Sequence, residues 1–207
     1  MASLVTLLIP ILMCLCFGVA VVIVFGGFFL LVNRSVKALN LTWGELGTRT
    51  GLTLKPGAVF SQPELKGEFR GRPMRVYTYS SGGGRHRLTY TAVALTVNNL
   101  GNSILEITPS GTVANFFGKM VKAQDVEIGD PAFDARFVIK SNPPEYAVRV
   151  LGEPRVLSGI MDIPDSFRIG LEGPSLEYSK RGLEDNVEFL TKLFNTLSDL
   201  ADRLEGN

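Results

Sequence analysis

Leu65-Lys66-Gly67-Glu68-Phe69-Arg70-Gly71-Arg72-Pro73-Met74-Arg75-Val76-Tyr77-Thr78-Tyr79 contains two runs of period two around a glycine. Leu65, Gly67 and Phe69 alternate with Lys66, Glu68 and Arg70. Met74, Val76 and Thr78 then alternate with Arg75, Tyr77 and Tyr79. Side chains on a strand point to opposite faces in turn, so each run predicts a strand with one apolar and one wet face, and Gly71 predicts the tight turn between them. Strands joined this closely are antiparallel.

The same pattern recurs downstream. Leu88 to Val97, rich in Thr, Tyr and Val, predicts a longer strand, and Asn98 to Asn102 a turn into Ile104 to Thr108. Phe133, Ala135, Phe137 and Ile139 alternate with Asp134, Arg136, Val138 and Lys140 and predict another strand. Phe167 to Leu171 and Leu176 to Tyr178 flank Gly173-Pro174 as a second hairpin. About seven strands result. Asn142-Pro143-Pro144-Glu145 predicts a helix over 143–151, and Pro154 opens a second one ending near Asp162. Leu183, Val187, Leu190, Phe194, Leu197, Ala201 and Leu204 step by four and three, the spacing of an amphipathic helix. Phe189, Leu193 and Leu200 widen its apolar face beyond a coiled-coil seam, so it is expected to pack on its own sheet. The fold class is α+β, with a mainly antiparallel sheet, short helices and a C-terminal amphipathic helix.

Before the hairpin the composition changes. The 207 residues carry 21 basic and 20 acidic side chains, and none of them precedes Arg34. Leu4 to Val32 would form a helix roughly 43 Å long, against a hydrocarbon core of about 30 Å. One N-terminal transmembrane helix is expected, retained as an anchor because no basic residue precedes it as a signal peptide requires. Arg34 and Lys37 follow it, so the positive-inside bias predicts a single-pass plasma-membrane protein with its N-terminus outside and its domain cytoplasmic. The triplets Asn33-Arg34-Ser35 and Asn40-Leu41-Thr42 are read as chance matches to a glycosylation pattern. Cys14, Gly18, Val22 and Gly26 recur every four residues and form a candidate helix-packing stripe. Thr42 and Glu45 have capping-box spacing, with Leu41 and Leu46 as the staple, so a new helix is expected from Trp43 to Thr50 after an elbow. The expected division is 1–33 transmembrane anchor, 34–51 juxtamembrane elbow and short helix, and 52–207 cytoplasmic domain.

Charge divides the rest of the chain. From Ala38 to Lys122 there are ten basic and four acidic residues, and from Ala123 onward nine basic and sixteen acidic. Arg70, Arg72, Arg75, Arg85 and Arg87 cluster in the basic half. Arg70, Arg72, Arg85, His86 and Arg87 are candidate contacts for an anionic lipid or other anion. The competing expectation is that the two halves neutralise each other within the fold. Nucleic acid is not expected, because no basic stripe is interleaved with stacking aromatics.

Catalytic signals are sparse. Ser80-Ser81-Gly82-Gly83-Gly84-Arg85-His86-Arg87 has glycines able to turn amides toward an anion. They lie between strands rather than opening a helix, which fits a hairpin tip better than a phosphate loop. His86 is the only histidine, and Cys14 and Cys16 are the only cysteines, both in the apolar run. No triad, histidine metal cluster or disulfide can be assembled from them. Asp130 and Asp134 are read as a turn rather than a cation site. No catalytic residue, metal or cofactor is expected.

The succession Trp43-x-x-Leu46, Thr50-Gly51-Leu52, Leu65 to Arg72, Gly129-Asp130-Pro131-Ala132-Phe133-Asp134-Ala135-Arg136-Phe137-Val138 and Ser141-Asn142-Pro143-Pro144-Glu145 resembles a family of uncharacterised prokaryotic membrane-anchored proteins. The resemblance covers roughly residues 43 to 180. It implies one domain at a prokaryotic plasma membrane, and it carries over no activity, ligand or functional residue. The expected function is therefore a non-enzymatic, single-pass membrane-anchored protein-interaction or assembly component, with the bilayer and another protein as partners. The alternative is a module that docks on anionic lipid, and an enzyme is the third reading.

Overall fold

The computed structural model describes the backbone of residues 2–58, 61–83, 87–111, 124–164 and 166–206, and side chains within these except at 2–12, 14, 16, 29, 31–33 and 35. The elements are α1 (Ala2–Thr50), β1 (Thr53–Lys55), β2 (Glu64–Phe69), β3 (Arg72–Ser81), β4 (Leu88–Thr96), β5 (Ile104–Pro109), β6 (Gln124–Val126), α2 (Pro131–Arg136), β7 (Phe137–Asn142), α3 (Pro144–Leu151), α4 (Pro154–Met161), β8 (Phe167–Glu172), β9 (Ser175–Arg181) and α5 (Val187–Leu204). Among the described residues, nine strands form one sheet in the order β1-β2-β3-β4-β9-β8-β5-β7-β6. Every pairing is antiparallel.

The deciding hairpin forms as its alternation dictates, with Leu65 opposite Val76 and Gly67 opposite Met74. Gly71 at the turn has φ 76°, a left-handed conformation that glycine adopts without steric cost. Leu65, Met74 and Val76 point to one face, and Val93 and Leu95 of β4, Leu176 and Tyr178 of β9 and Ile169 and Leu171 of β8 join them there in the core. Helices cover that face. Leu190, Leu193, Phe194, Leu197, Leu200, Ala201 and Leu204 of α5 are all buried, so its wide apolar side is satisfied by its own sheet and by α1, α3 and α4.

Sequence adjacency misleads at one point. The turn at 98–102 does not make β4 and β5 neighbours: β9 takes the place beside β4, and β8 lies between β9 and β5. The second hairpin is thus inserted into the middle of the sheet, and β5 turns to pair with β7. A second difference lies at 133–136, the first half of the strand expected from Phe133 to Lys140, where α2 stands instead and the strand begins at Phe137. Asp130 caps the helix, accepting from the amides of Ala132 and Phe133, and Pro131 opens it. Phe133 and Phe137 are four apart, so the same apolar residues satisfy one helical turn as well as an alternation.

The largest corrections concern the lead segment. Among the described residues, no helix is long and apolar enough to cross a membrane. This overturns the expected transmembrane anchor at 1–33. The single-pass plasma-membrane placement, with N-terminus outside and domain cytoplasmic, rested on that span and falls with it.

The elbow is absent too. α1 is continuous from Ala2 to Thr50, and Thr42 lies inside it rather than at a cap. Neither Gly nor Pro occurs between Phe28 and Trp43 to stop the helix. Glu45 reaches forward to Arg49, one turn on, at 2.5 Å instead of back to a capping partner.

Candidate functional site

The feature of α1 that stands out is its division into two halves. Val36, Leu39, Trp43 and Leu46 step by three, four and three along one side and are all buried against the domain. N-terminal to them, Met13, Leu15, Phe17, Val19, Val22, Ile23, Val24, Phe25, Phe28 and Leu30 are exposed. Residues 17–28 are exposed without exception, so the apolar surface surrounds the helix rather than forming a stripe.

Three contacts hold the buried half. Trp43 is fully buried and its Nε1 donates to the Glu184 carbonyl at 3.0 Å. Asn40 makes a two-way amide pair with the Gly57 backbone, donating from Nδ2 at 3.1 Å and accepting at Oδ1 at 2.8 Å. Gly47 approaches so closely that a Cβ there would lie 2.7 Å from the Leu52 carbonyl oxygen. Asn40 stands in the sequence only as part of a triplet, yet its amide is committed to the fold. The three-four-three spacing from Val36 to Leu46 was the sequence signal for this seam.

The Glu184 end of the Trp43 contact belongs to a buried network. Thr91 Oγ1 donates to the Gly182 carbonyl and accepts from the Glu184 amide. The Glu184 carboxylate accepts from Lys180 Nζ at 2.8 Å and from the Asn186 amide. Asn186 is the N-cap of α5, its side chain accepting from the Phe189 amide. α1, β4, β9 and the start of α5 are therefore joined through one set of polar contacts.

The packing-stripe residues lie on the apolar half. A Cβ added at Gly18 or Gly26 would have nothing within 4 Å, and Val22 is exposed, so among the described residues no other element packs there. The Cys14 side chain lies outside the described residues.

Of the candidate anion contacts, Arg70 and Arg72 are turned toward α5. Arg70 pairs with Asp199 at 2.5 Å, and Arg72 pairs with Asp202 at 2.7 Å and with Glu205. Glu205 also accepts from the Asn98 amide at 2.8 Å. Arg72 beside it, with the Asn98 amide, holds the Glu205 carboxyl below its ordinary range against the opposing effect of burial. Arg75 pairs with Glu64 and lies over the Tyr77 ring. These three arginines of the basic half are met by four carboxylates, three of them from the acidic half. Arg87 is exposed, while Arg85 and His86 lie outside the described residues.

The sheet face turned away from the helices carries its own polar layer. Tyr77 on β3 donates to Glu177 on β9 at 2.6 Å, and burial, reinforced by that carboxylate, pushes the phenol well above its usual range. Arg168 on β8 pairs with Glu106 on β5 at 2.8 Å, with both side chains largely buried. A shallow cavity of about 300 Å³ on this face is lined by Lys66, Arg75, Ala94, Thr96 and Ser175. A second, of about 210 Å³, lies between α4 and α5 against Ile163, Phe189 and Leu193. Asp130 and Asp134 do not face a shared cation position: Asp130 caps α2, and Asp134 accepts from the Ile128 and Gly129 amides. Among the described residues there is no group of three His, Cys, Asp or Glu able to hold a metal.

No protein-family model matches the chain, and no curated protein matches it. Among solved structures, the chain is similar to the crystal structure of the mycobacterial trehalose monomycolate transport factor A, TtfA. The TM-score is 0.57 at 12% identity, over 80% of this chain and 94% of that one. At that identity the likeness is one of fold.

Proposed function

We propose that this chain is a non-enzymatic protein-interaction or assembly component, and that the apolar half of α1 is its interaction element. The observation that carries this is the exposure of 17–28 on every side of a helix whose other half is fixed in the domain. A helix apolar all round is stable when it is enclosed, and large exposed apolar patches mark interaction surfaces. Since no side of 17–28 is polar, the fitting partner is one that surrounds the helix, such as a group of helices in another protein. The likeness to a transport factor is one of fold and names no cargo or partner for this chain.

The alternative, docking on anionic lipid through the basic half, has less support, because Arg70 and Arg72 are engaged with α5 acids. In-cell photo-cross-linking tests the leading reading, with a benzophenone side chain at Phe17, at Phe25, or at Val148 on α3 as control. Discrete protein adducts at Phe17 and Phe25, and none at Val148, are expected. Adducts absent from both helix positions would remove this reading.

A further inference from the structure

We infer that α1 is a phased coupling rod: the helical phase between residues 28 and 43 sets the direction in which the domain faces relative to whatever encloses the apolar half. The functional side of this rests on the interaction reading above, and the mechanical side stands on the structure alone.

Helices bend sharply at proline, at glycine or serine pairs, or where another group enters the backbone ladder. The stretch from Phe28 to Trp43 contains no proline, no glycine and a single serine, Ser35. It is helical throughout. The glycine pair Gly26-Gly27 lies beyond it, inside the apolar half.

A straight rod transmits orientation only if its base cannot turn. The base of α1 is held along one side by several different partners. Leu39, Trp43 and Leu46 are seated in the core, Asn40 grips the Gly57 backbone, and Gly47 lies against the Leu52 backbone. Rotating α1 by one residue, about 100°, would break the Asn40 pair, expose Trp43 and drive another side chain into the Gly47 contact. Rotation of the domain about the helix axis is therefore opposed by each of these contacts. The Trp43 contact to Glu184 carries that setting on to the start of α5 through Asn186.

The test uses the full chain with Cys14→Ser and Cys16→Ser, carrying spin labels at Leu30→Cys on α1 and Val148→Cys on α3. Pulsed electron–electron resonance is expected to give one narrow distance. Inserting one alanine between Arg34 and Ser35 turns the apolar half by about 100° and lengthens the rod by about 1.5 Å, and should move that peak while keeping it narrow. Replacing residues 33–35 by three glycines should broaden it. The inference is overturned if the unaltered chain gives a distribution as broad as the triple-glycine variant, or if the alanine insertion leaves the peak in place.

The same alanine insertion separates mechanics from function. Cross-links from Phe25 should persist in it, while cross-links from Leu41, exposed on the domain side of α1, should move to different partner peptides. Failure to see any Phe25 adduct in the unaltered chain would count against the interaction reading and leave the distance result to judge the rod.

Discussion

Tyr77 and Glu177, one hundred residues apart in sequence, hydrogen-bond at 2.6 Å across the top of β4. Their strands are not adjacent: β4 lies between β3 and β9. Strands two places apart are about 9.6 Å apart, a gap that only long side chains close. The residues beneath must be small, and β4 presents Ala92 opposite Tyr77 and Ala94 opposite Glu177. The two alanines in a Thr, Tyr and Val-rich strand are thus explained by what passes over them.

Enlarging the floor of that bridge should cost more than removing the bridge. Tyr77→Phe deletes one hydrogen bond to a carboxylate and is expected to lower stability by about 1–2 kcal/mol. Ala92→Leu, at a fully buried position, forces Tyr77 off Glu177 and overpacks the face, at roughly 1–3 kcal/mol. In a double mutant the two losses should be less than additive, because Ala92→Leu already breaks the bond. Urea denaturation of the two single variants and the double reads this.

The phenols of Tyr77 and Tyr178 should make the fold sensitive to alkali. Burial raises both, with Glu177 adding to the first and Glu184 to the second. A folded-state pKa above the unfolded value of 10.0 means that the native state holds these protons more tightly. The resulting stability is complete below pH 10 and is lost as pH rises beyond it. Alkaline titration followed by tyrosinate absorbance should show two phenols ionising only as the far-ultraviolet dichroism collapses.

The Arg72 to Glu205 contact should fade at the opposite end of the scale. Glu205 has a depressed pKa, so its contribution is present above the unfolded carboxyl value of 4.5 and is lost as pH falls through the lower folded one. Arg72→Met is expected to lose about 2 kcal/mol at pH 7, since charged hydrogen bonds in a partly buried place are broken. The gap between the variant and the parent should narrow in acid, as measured by urea midpoints at pH 7 and pH 3.

Gly170 should not tolerate a methyl group. A Cβ there would sit 2.6 Å from the Arg168 guanidinium, which is buried and paired with Glu106. Gly170→Ala must displace that pair, at roughly 1–3 kcal/mol. Glu106→Gln in the same background should cost less than it does alone, because the pair is already disturbed.

Trp43, the one tryptophan, is a built-in probe of the α1 base. Its full burial predicts emission shifted to the blue and protected from iodide quenching. Trp43→Phe leaves the Glu184 carbonyl without its donor and should cost about 1–3 kcal/mol. Asn40→Ala should redden the parent tryptophan's emission if the base of the rod loosens, and an unchanged spectrum would assign Asn40 to the loop at Gly57 alone.

Much of the sheet was legible because its signals are local. The 65–79 and 167–178 hairpins need only alternation and a glycine turn, and both form where that pattern places them. α5 was legible for the same reason: its spacing gives a wide apolar face whatever covers it. Phe133 to Arg136 was misread because a single helical turn and a short strand share their apolar positions. The end of the hydrophobic segment was misread for a related cause. Thr42 and Glu45 have the chemistry of a helix start, but a start signal has no force where no stop signal precedes it.

The sequence by itself determined the antiparallel hairpins, the amphipathic last helix, the uncharged lead segment and the opposition of a basic half to an acidic one. These follow from periodicity and composition, which act over a few residues at a time. Only the tertiary structure decided that β9 and β8 separate β4 from β5, that α1 runs unbroken into the core, and that Arg70 and Arg72 are met by α5. Each depends on groups brought together from far along the chain, and local pattern carries no record of which distant carboxylate or strand edge will satisfy them.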